Sequence, residues 1–342
     1  MSGTSLDGLD LCFATFSLSN ESWSYKINRC KTLEYSDYWV NKLKNAQILN
    51  AEDLVKLDHE YGVYLGKEAK EFITSIELEP DLIASHGHTV FHNPKLNFTK
   101  QIGNGAQLAV SSGFKTCCDF RTTDVALGGQ GAPLVPIGDL KLFPNFNACL
   151  NLGGFSNISI KQESMLAFDI CPTNIVLNKL ANELGKEFDK SGAIARRGSI
   201  NLELLQELNS LNYYNLIGPK SLGREWVEEK TYPILNKYDI KTKDKLHTYC
   251  VHISAQIKNV VKFANITDKI LVTGGGVKND FLMESFENEG LNITIPNLEL
   301  IDFKEALIFA FLGLLRFIKI PNTLSSVTGA RKDSISGCIY LP

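Results

Sequence analysis

Three short stretches of this chain combine glycines with side chains that can hold phosphate. They are Gly3-Thr4-Ser5-Leu6-Asp7-Gly8-Leu9-Asp10, Gly153-Gly154 with Asn157 close behind, and Gly274-Gly275-Gly276 with Asn279. Small residues let a backbone approach a ligand, and successive N–H groups in a tight turn form an anion-binding nest. Hydroxyls such as those of Thr4 and Ser5 add donors for phosphate oxygens, and a carboxylate such as Asp7 can hold the Mg²⁺ that accompanies a nucleotide. One such turn is ordinarily structural, and the first also reads as a disordered polar N-terminus. Three of them, each set against a strand, fit a nucleotide gripped by two domains.

A second group of side chains suits an organic substrate. Asp169 ends an apolar strand, where a carboxylate is costly unless it has a task or a partner; a capping or ion-paired Asp is the structural alternative. Arg121 follows another strand and can bind a substrate carboxylate bidentately, with an ordinary interdomain ion pair as its alternative. His86 and Thr89 are hydrogen-bonding candidates for the same substrate. His86, His88 and His92 have no common zinc spacing and no placed cysteine or carboxylate partner, so a metal role is not assigned.

The elements that must position these residues alternate in type. Leu9 to Leu18 and Trp23 to Cys30 read as strands, with Asn20 and Glu21 turning between them. Leu54, Leu57, Tyr61, Leu65, Ala69, Phe72 and Ile76 step by three or four, which predicts one long amphipathic helix ending before Pro80. Short strands then run into His86 and Arg121, and the loop Leu127 to Pro133 is too glycine-rich for a regular element. Strands are also expected at 147–152, 158–160, 166–171 and 269–273. Helices are expected at 173–184, 202–211, 242–264 and 303–318, with loops at 189–198 and 220–226. No GxxxxGK[ST] and no GxGxxG after a strand occurs, which disfavours P-loop and dinucleotide folds. The pattern is α/β, with domains expected at 1–133, carrying the first phosphate loop and the substrate-binding segments, and 134–342, carrying the second phosphate loop, Asp169 and the remaining glycine turn.

Composition narrows the setting. The 342 residues suit two domains. Lys and Arg number 35 against 38 Asp and Glu, so no electrostatic case exists for nucleic acid or a membrane surface. The longest apolar run, near Ala306 to Leu315, is too short to span a bilayer. Eight scattered cysteines without a CxxC pair predict free thiols and a cytoplasmic setting.

Taken together, the motifs resemble the anhydro-N-acetylmuramic acid kinase family, of the sugar and acetate kinase, heat-shock chaperone and actin superfamily. The resemblance covers essentially the whole chain. It rests on residues 2–10, Ser85-His-Gly-His-Thr-Val90, residues 119–136, Asn151-Leu-Gly-Gly-Phe-Ser-Asn157, residues 219–225 and residues 274–279. It implies two ribonuclease-H-like domains flanking a cleft that holds ATP and the sugar. It implies ATP- and Mg²⁺-dependent opening of 1,6-anhydro-N-acetylmuramic acid by water, giving N-acetylmuramate 6-phosphate in cell-wall recycling. The family's phosphate loop matches Gly3 to Asp10, and its general base matches Asp169. A homodimer is expected from the resemblance only. A kinase for another amino sugar, or a nucleotide-binding protein without turnover, are the alternatives.

This sequence departs from the family pattern in places. Asp169-Ile-Cys-Pro-Thr-Asn174 stands where Asp-Thr-Gly-Pro-Gly-Asn is common, His88 where Gln is usual and Asn178 where Asp is usual. The family usually carries a strand before its first motif. A chain that starts at Met1 is expected to expose a sheet edge there and to loosen the phosphate loop.

Overall fold

The computed structural model describes residues 1–3, 6, 8–216, 218 and 220–342. In chain order its strands are β1 (Leu9–Ser19), β2 (Ser22–Leu33), β3 (Ile83–Ala84), β4 (His88–Asn93), β5 (Phe98–Ile102), β6 (Thr116–Cys118), β7 (Ala148–Leu152), β8 (Phe155–Ile160), β9 (Leu166–Pro172), β10 (Ile270–Thr273), β11 (Ile293–Thr294) and β12 (Cys338–Tyr340). The chain forms two compact units, Met1–Phe143 with Phe303–Pro342, and Pro144–Asp302. A single cut at residue 133 misses both the later boundary and the return of the C-terminal segment. The helix Pro136–Leu142 stays with the first unit because its Asp139 pairs with Lys304 at 2.7 Å. The C-terminal segment joins that unit because β12 pairs antiparallel with β6 and Thr328 Oγ1 donates to Asp124 Oδ1 at 2.7 Å.

The second unit is built on one sheet in the order β11-β10-β7-β8-β9. β7, β8 and β9 are antiparallel neighbours, while β10 and β11 continue the sheet parallel to β7. This strand order is that of the ribonuclease-H-like domain that the family resemblance implies. β7 and β10 lie inside the sheet, which is why Ala148, Leu150, Ile270 and Val272 form near-continuous apolar runs. The helix Thr242–Phe263 covers one face with Leu246, Tyr249, Cys250, Ile253 and Ile257, a helical stripe that joins the same core.

The first unit carries separate, smaller sheets: β1-β2, β12-β6-β3 and β4-β5. β3 and β6 are parallel, so Ser85 and Asp119 leave the sheet at the same end. The long helix Ala51–Thr74 begins where Asn50 accepts from the Asp53 N–H, and it buries Leu57, Tyr61, Leu65, Ala69 and Phe72 as its spacing predicts. The outer edge of β1 is bridged at Leu9 by Ser2. Beyond that bridge, Leu11 to Phe16 line a cavity of ≈ 400 Å³ whose other walls include Leu82, Ile83, Ala84 and Phe309.

Local differences from expectation are few. The apolar helix spans Leu298–Phe317, five residues longer at its start, because Asn297 accepts from the Leu300 N–H. The loop read after Lys220 turns helical at Arg224, and the loop 189–198 contains the short helix Ala193–Arg196, whose start is capped by Asp189.

Candidate active site

In the first unit, residues 1 and 2 fold back on β1. Met1 N donates to Asp10 O at 2.7 Å and Asp10 N returns a bond to Met1 O at 2.9 Å. The stem of the expected phosphate loop is therefore closed by residues 1, 2, 9 and 10. Gly3, Leu6, Gly8, Leu9 and Asp10 of that loop are placed, while Thr4, Ser5 and Asp7, the expected Mg²⁺ ligand, lie outside the described residues. Gly8 passes so close to β2 that a Cβ would stand 2.7 Å from Leu33 O, which no larger residue tolerates. Ser2, at the stem, accepts from Tyr35 OH at 2.8 Å and lies 3.1 Å from His88 Nδ1, tying the loop to the segment that carries His86 and Thr89.

His86 and Arg121 come from the matched ends of β3 and β6 and meet directly. Arg121 Nε and Nη2 both point their hydrogens at His86 Nε2, at 3.0 and 2.9 Å, and Nη1 donates to Gly131 O at 2.6 Å. His86 must then carry its proton on Nδ1, which donates to Gly87 O at 3.0 Å. Burial, and then the neighbouring Arg121 charge, hold His86 well below its ordinary pKa, so it is a neutral acceptor that aims the guanidinium. Three of the five guanidinium N–H groups are used. The interdomain ion pair is not observed among the described residues. Thr89 sits apart from this pair, accepting from Gln101 Nε2 at 3.3 Å.

Glu305 belongs to this group although the motifs pass over it. It keeps contact with solvent, yet the protein around it raises its carboxyl pKa by desolvation; the opposing pull of Arg121 and of the Met1 ammonium comes next. The signal was available: Lys304 and Glu305 stand directly before the apolar run Ala306 to Leu315, and Lys304 is matched by Asp139.

In the second unit the two glycine turns meet. β7 and β10 are parallel neighbours, so the turns after Leu152 and Thr273 emerge side by side. Gly274 has φ +87°, and a Cβ there would fall 2.6 Å from Asn151 Oδ1 and 2.9 Å from the Leu152 backbone. Gly154 O accepts from the N–H groups of Thr173 and Ile175, and Asn174 Nδ2 donates to Leu152 O at 3.1 Å. Gly153, Gly154, Gly275 and Gly276 thereby gather around the N-terminus of the helix Asn174–Asn182, whose first N–H groups are taken up by Gly153 O, Gly154 O and Thr173 O. Asn279 is used differently: its side-chain oxygen caps the helix Asp280–Asn288 by accepting from Leu282 N.

Asp169 lies on β9 opposite Asn157 on β8. Ser156 pairs with Cys171 and Asn157 with Asp169, so Ile170 is an extra residue and the strand bulges there. A bulge re-aims the side chains beside it. Ile170 and Cys171 both enter the core, while Asp169 stays half-buried and keeps some access to solvent. Leu222 N donates to its Oδ2 at 2.9 Å, and Oδ1 has no partner among the described residues. Burial raises its pKa above the ordinary carboxylate value, with the Leu222 bond opposing. The capping and ion-paired alternatives for Asp169 are not observed.

The family model described as "Anhydro-N-acetylmuramic acid kinase" matches residues 1–342. The chain belongs to the anhydro-N-acetylmuramic acid kinase family. The kinase of that name from Pasteurella multocida is 33% identical over 377 residues, covering 99% of this chain and 95% of the relative. The one from Aliivibrio fischeri is 34% identical over 373 residues, covering 99% and 97%. Among solved structures, an activator of the 2-hydroxyisocaproyl-CoA dehydratase from Clostridium difficile with bound ADPNP aligns over 90% of this chain and 96% of its own, at TM-score 0.41 and 12% identity. The family membership makes this chain an ATP-dependent sugar kinase acting on anhydro-N-acetylmuramic acid, and neither alternative reading is favoured.

Proposed function

We propose that Asp169 is the general base of this kinase. Asp169 Oδ1 takes a proton from a water molecule, whose oxygen attacks the anomeric carbon of the anhydro sugar. The bond from that carbon to O6 breaks, O6 attacks the γ-phosphorus of ATP, and ADP departs. The products are N-acetylmuramate 6-phosphate and ADP, with one proton left on Asp169 for release to solvent. What supports this reading is the carboxylate itself, held through one oxygen, partnerless on the other, and set beside a strand bulge.

The turns at 153–154 and 274–276 and the loop from Gly3 to Asp10 are proposed to bind the nucleotide. Arg121, aimed by His86, is proposed to pair with the lactyl carboxylate of the sugar, and Thr89 to hydrogen-bond it. Among the described residues no cluster of three His, Cys, Asp or Glu side chains could hold a metal. Mg²⁺ would arrive on the nucleotide, since it uses one or two carboxylates plus substrate phosphates; Asp7 would hold it. When bound, Mg²⁺ neutralises phosphate charge. The same reading places the enzyme in the cytoplasm, in keeping with its free cysteines, and makes it a homodimer on the strength of the family resemblance alone. None of the described helices is long and apolar enough to cross a membrane.

Turnover in ¹⁸O-water tests the coupled opening. The expected product carries one phosphate and one ¹⁸O on the anomeric hydroxyl at short times. A phosphorylated sugar with its anhydro ring intact would sink the mechanism.

A further inference from the structure

We propose that Lys220 is a positioning residue that sets Asp169 for catalysis by tethering Tyr213 and Leu216 beside it. The inference rests on Asp169 being the base. The bulge at Ile170 interrupts the β8–β9 ladder next to Asp169, so the sheet alone does not fix this residue. Lys220, Tyr213 and Leu222 take over that task. Asp169 N donates to Lys220 O at 3.1 Å, Tyr213 OH donates to Asp169 O at 2.7 Å, and Leu222 N donates to Asp169 Oδ2 at 2.9 Å. Donor, carbonyl and carboxylate of one residue are thus all held by one short segment.

Lys220 holds these partners in place. Its Nζ donates to Tyr213 O at 3.0 Å and to Leu216 O at 2.9 Å, and it lies 4.3 Å from the centroid of the Tyr213 ring. No carboxylate pairs with it among the described residues, so its charge is spent on two backbone carbonyls and an aromatic face. A lysine used in this way ties Tyr213 and Leu216 to the residues beside Leu222. Without it, Tyr213 and Leu222 lose their fixed separation, and both contacts to Asp169 loosen together.

Lys220→Met removes the ammonium while keeping the stem. The expected result is a fall in kcat of up to about 10²-fold, the cost of a misplacement of about 1 Å, with KM for ATP unchanged. The acidic limb of the kcat profile moves to higher pH, because the carboxylate loses an N–H donor that favours its charged form. Lys220→Arg, which can still donate to both carbonyls, restores the limb. Should Lys220→Met fail to fold, Tyr213→Phe removes one hydroxyl only and shifts the limb in the same direction by less. The titration of the Asp169 carboxyl, followed by ¹³C NMR in ligand-free protein, reads the clamp without turnover. A titration and pH limb unmoved in Lys220→Met, or a limb moved equally in Lys220→Arg, overturns the proposal. An Asp169→Asn variant with near-normal turnover refutes the base instead, so the two failures are distinguishable.

Discussion

Replacing Asp169 by Asn separates the base from its scaffold. The amide oxygen can still accept from Leu222 N, and the backbone of residue 169 keeps Lys220 O and Tyr213 OH as partners. Volume is nearly unchanged, so the local fold persists while the proton acceptor is lost. General-base catalysis contributes about 10²–10⁴-fold, which is about 2.7–5.4 kcal/mol at 1.36 kcal/mol per tenfold. The kcat for ADP release, read in a coupled assay with both substrates saturating, is expected to fall by that factor, with KM for ATP unchanged. Stability moves in the opposite direction. Burial raises the Asp169 pKa in the folded protein, so the ionised carboxylate destabilises the fold at pH values above that pKa. This cost disappears as pH falls through the folded pKa. The neutral amide never carries it, so Tm of Asp169→Asn is expected above wild type near neutral pH, with the gap closing on acidification. Wild-type activity should fall on the acid side of neutrality, above the ordinary carboxylate range. A folded Asn variant that turns over within about tenfold of wild type would refute the reasoning.

Two further outcomes follow from packing. Lys304 and Asp139 form a buried pair, with side chains 7% and 2% exposed; Lys304→Met leaves a buried carboxylate alone and should cost about 3–5 kcal/mol. Calorimetry or urea unfolding reads that loss, and a Lys304→Met/Asp139→Leu double variant should recover most of it. Gly274→Ala places a methyl against Asn151 and Leu152 at a positive φ, so it should destabilise by more than about 1 kcal/mol and raise KM for ATP. An alanine variant with wild-type Tm and KM would remove the turn from the nucleotide site.

Much of this was legible because it is local. The helix Ala51–Thr74 announces itself through residues spaced three and four apart, and the helix Thr242–Phe263 does the same. The three glycine turns follow from the residue types a close backbone approach demands. Asp169 stood out because a carboxylate in an apolar strand is costly without a reason.

What the sequence could not supply is pairing across long separations. Nothing in Phe303–Pro342 says that it returns to the first unit, since a strand as short as Cys338–Tyr340 has no periodic signature and its partner, β6, lies more than two hundred residues earlier. The extra residue at Ile170 is likewise invisible, because a bulge is defined by its partner strand. The neutral state of His86 depends on Arg121 folding against it. By itself the sequence determined which residues could do the chemistry, because side-chain type and near-neighbour spacing decide that. Only the tertiary structure decided which of them hold one another in place, because hydrogen bonds and burial join residues that the chain keeps far apart.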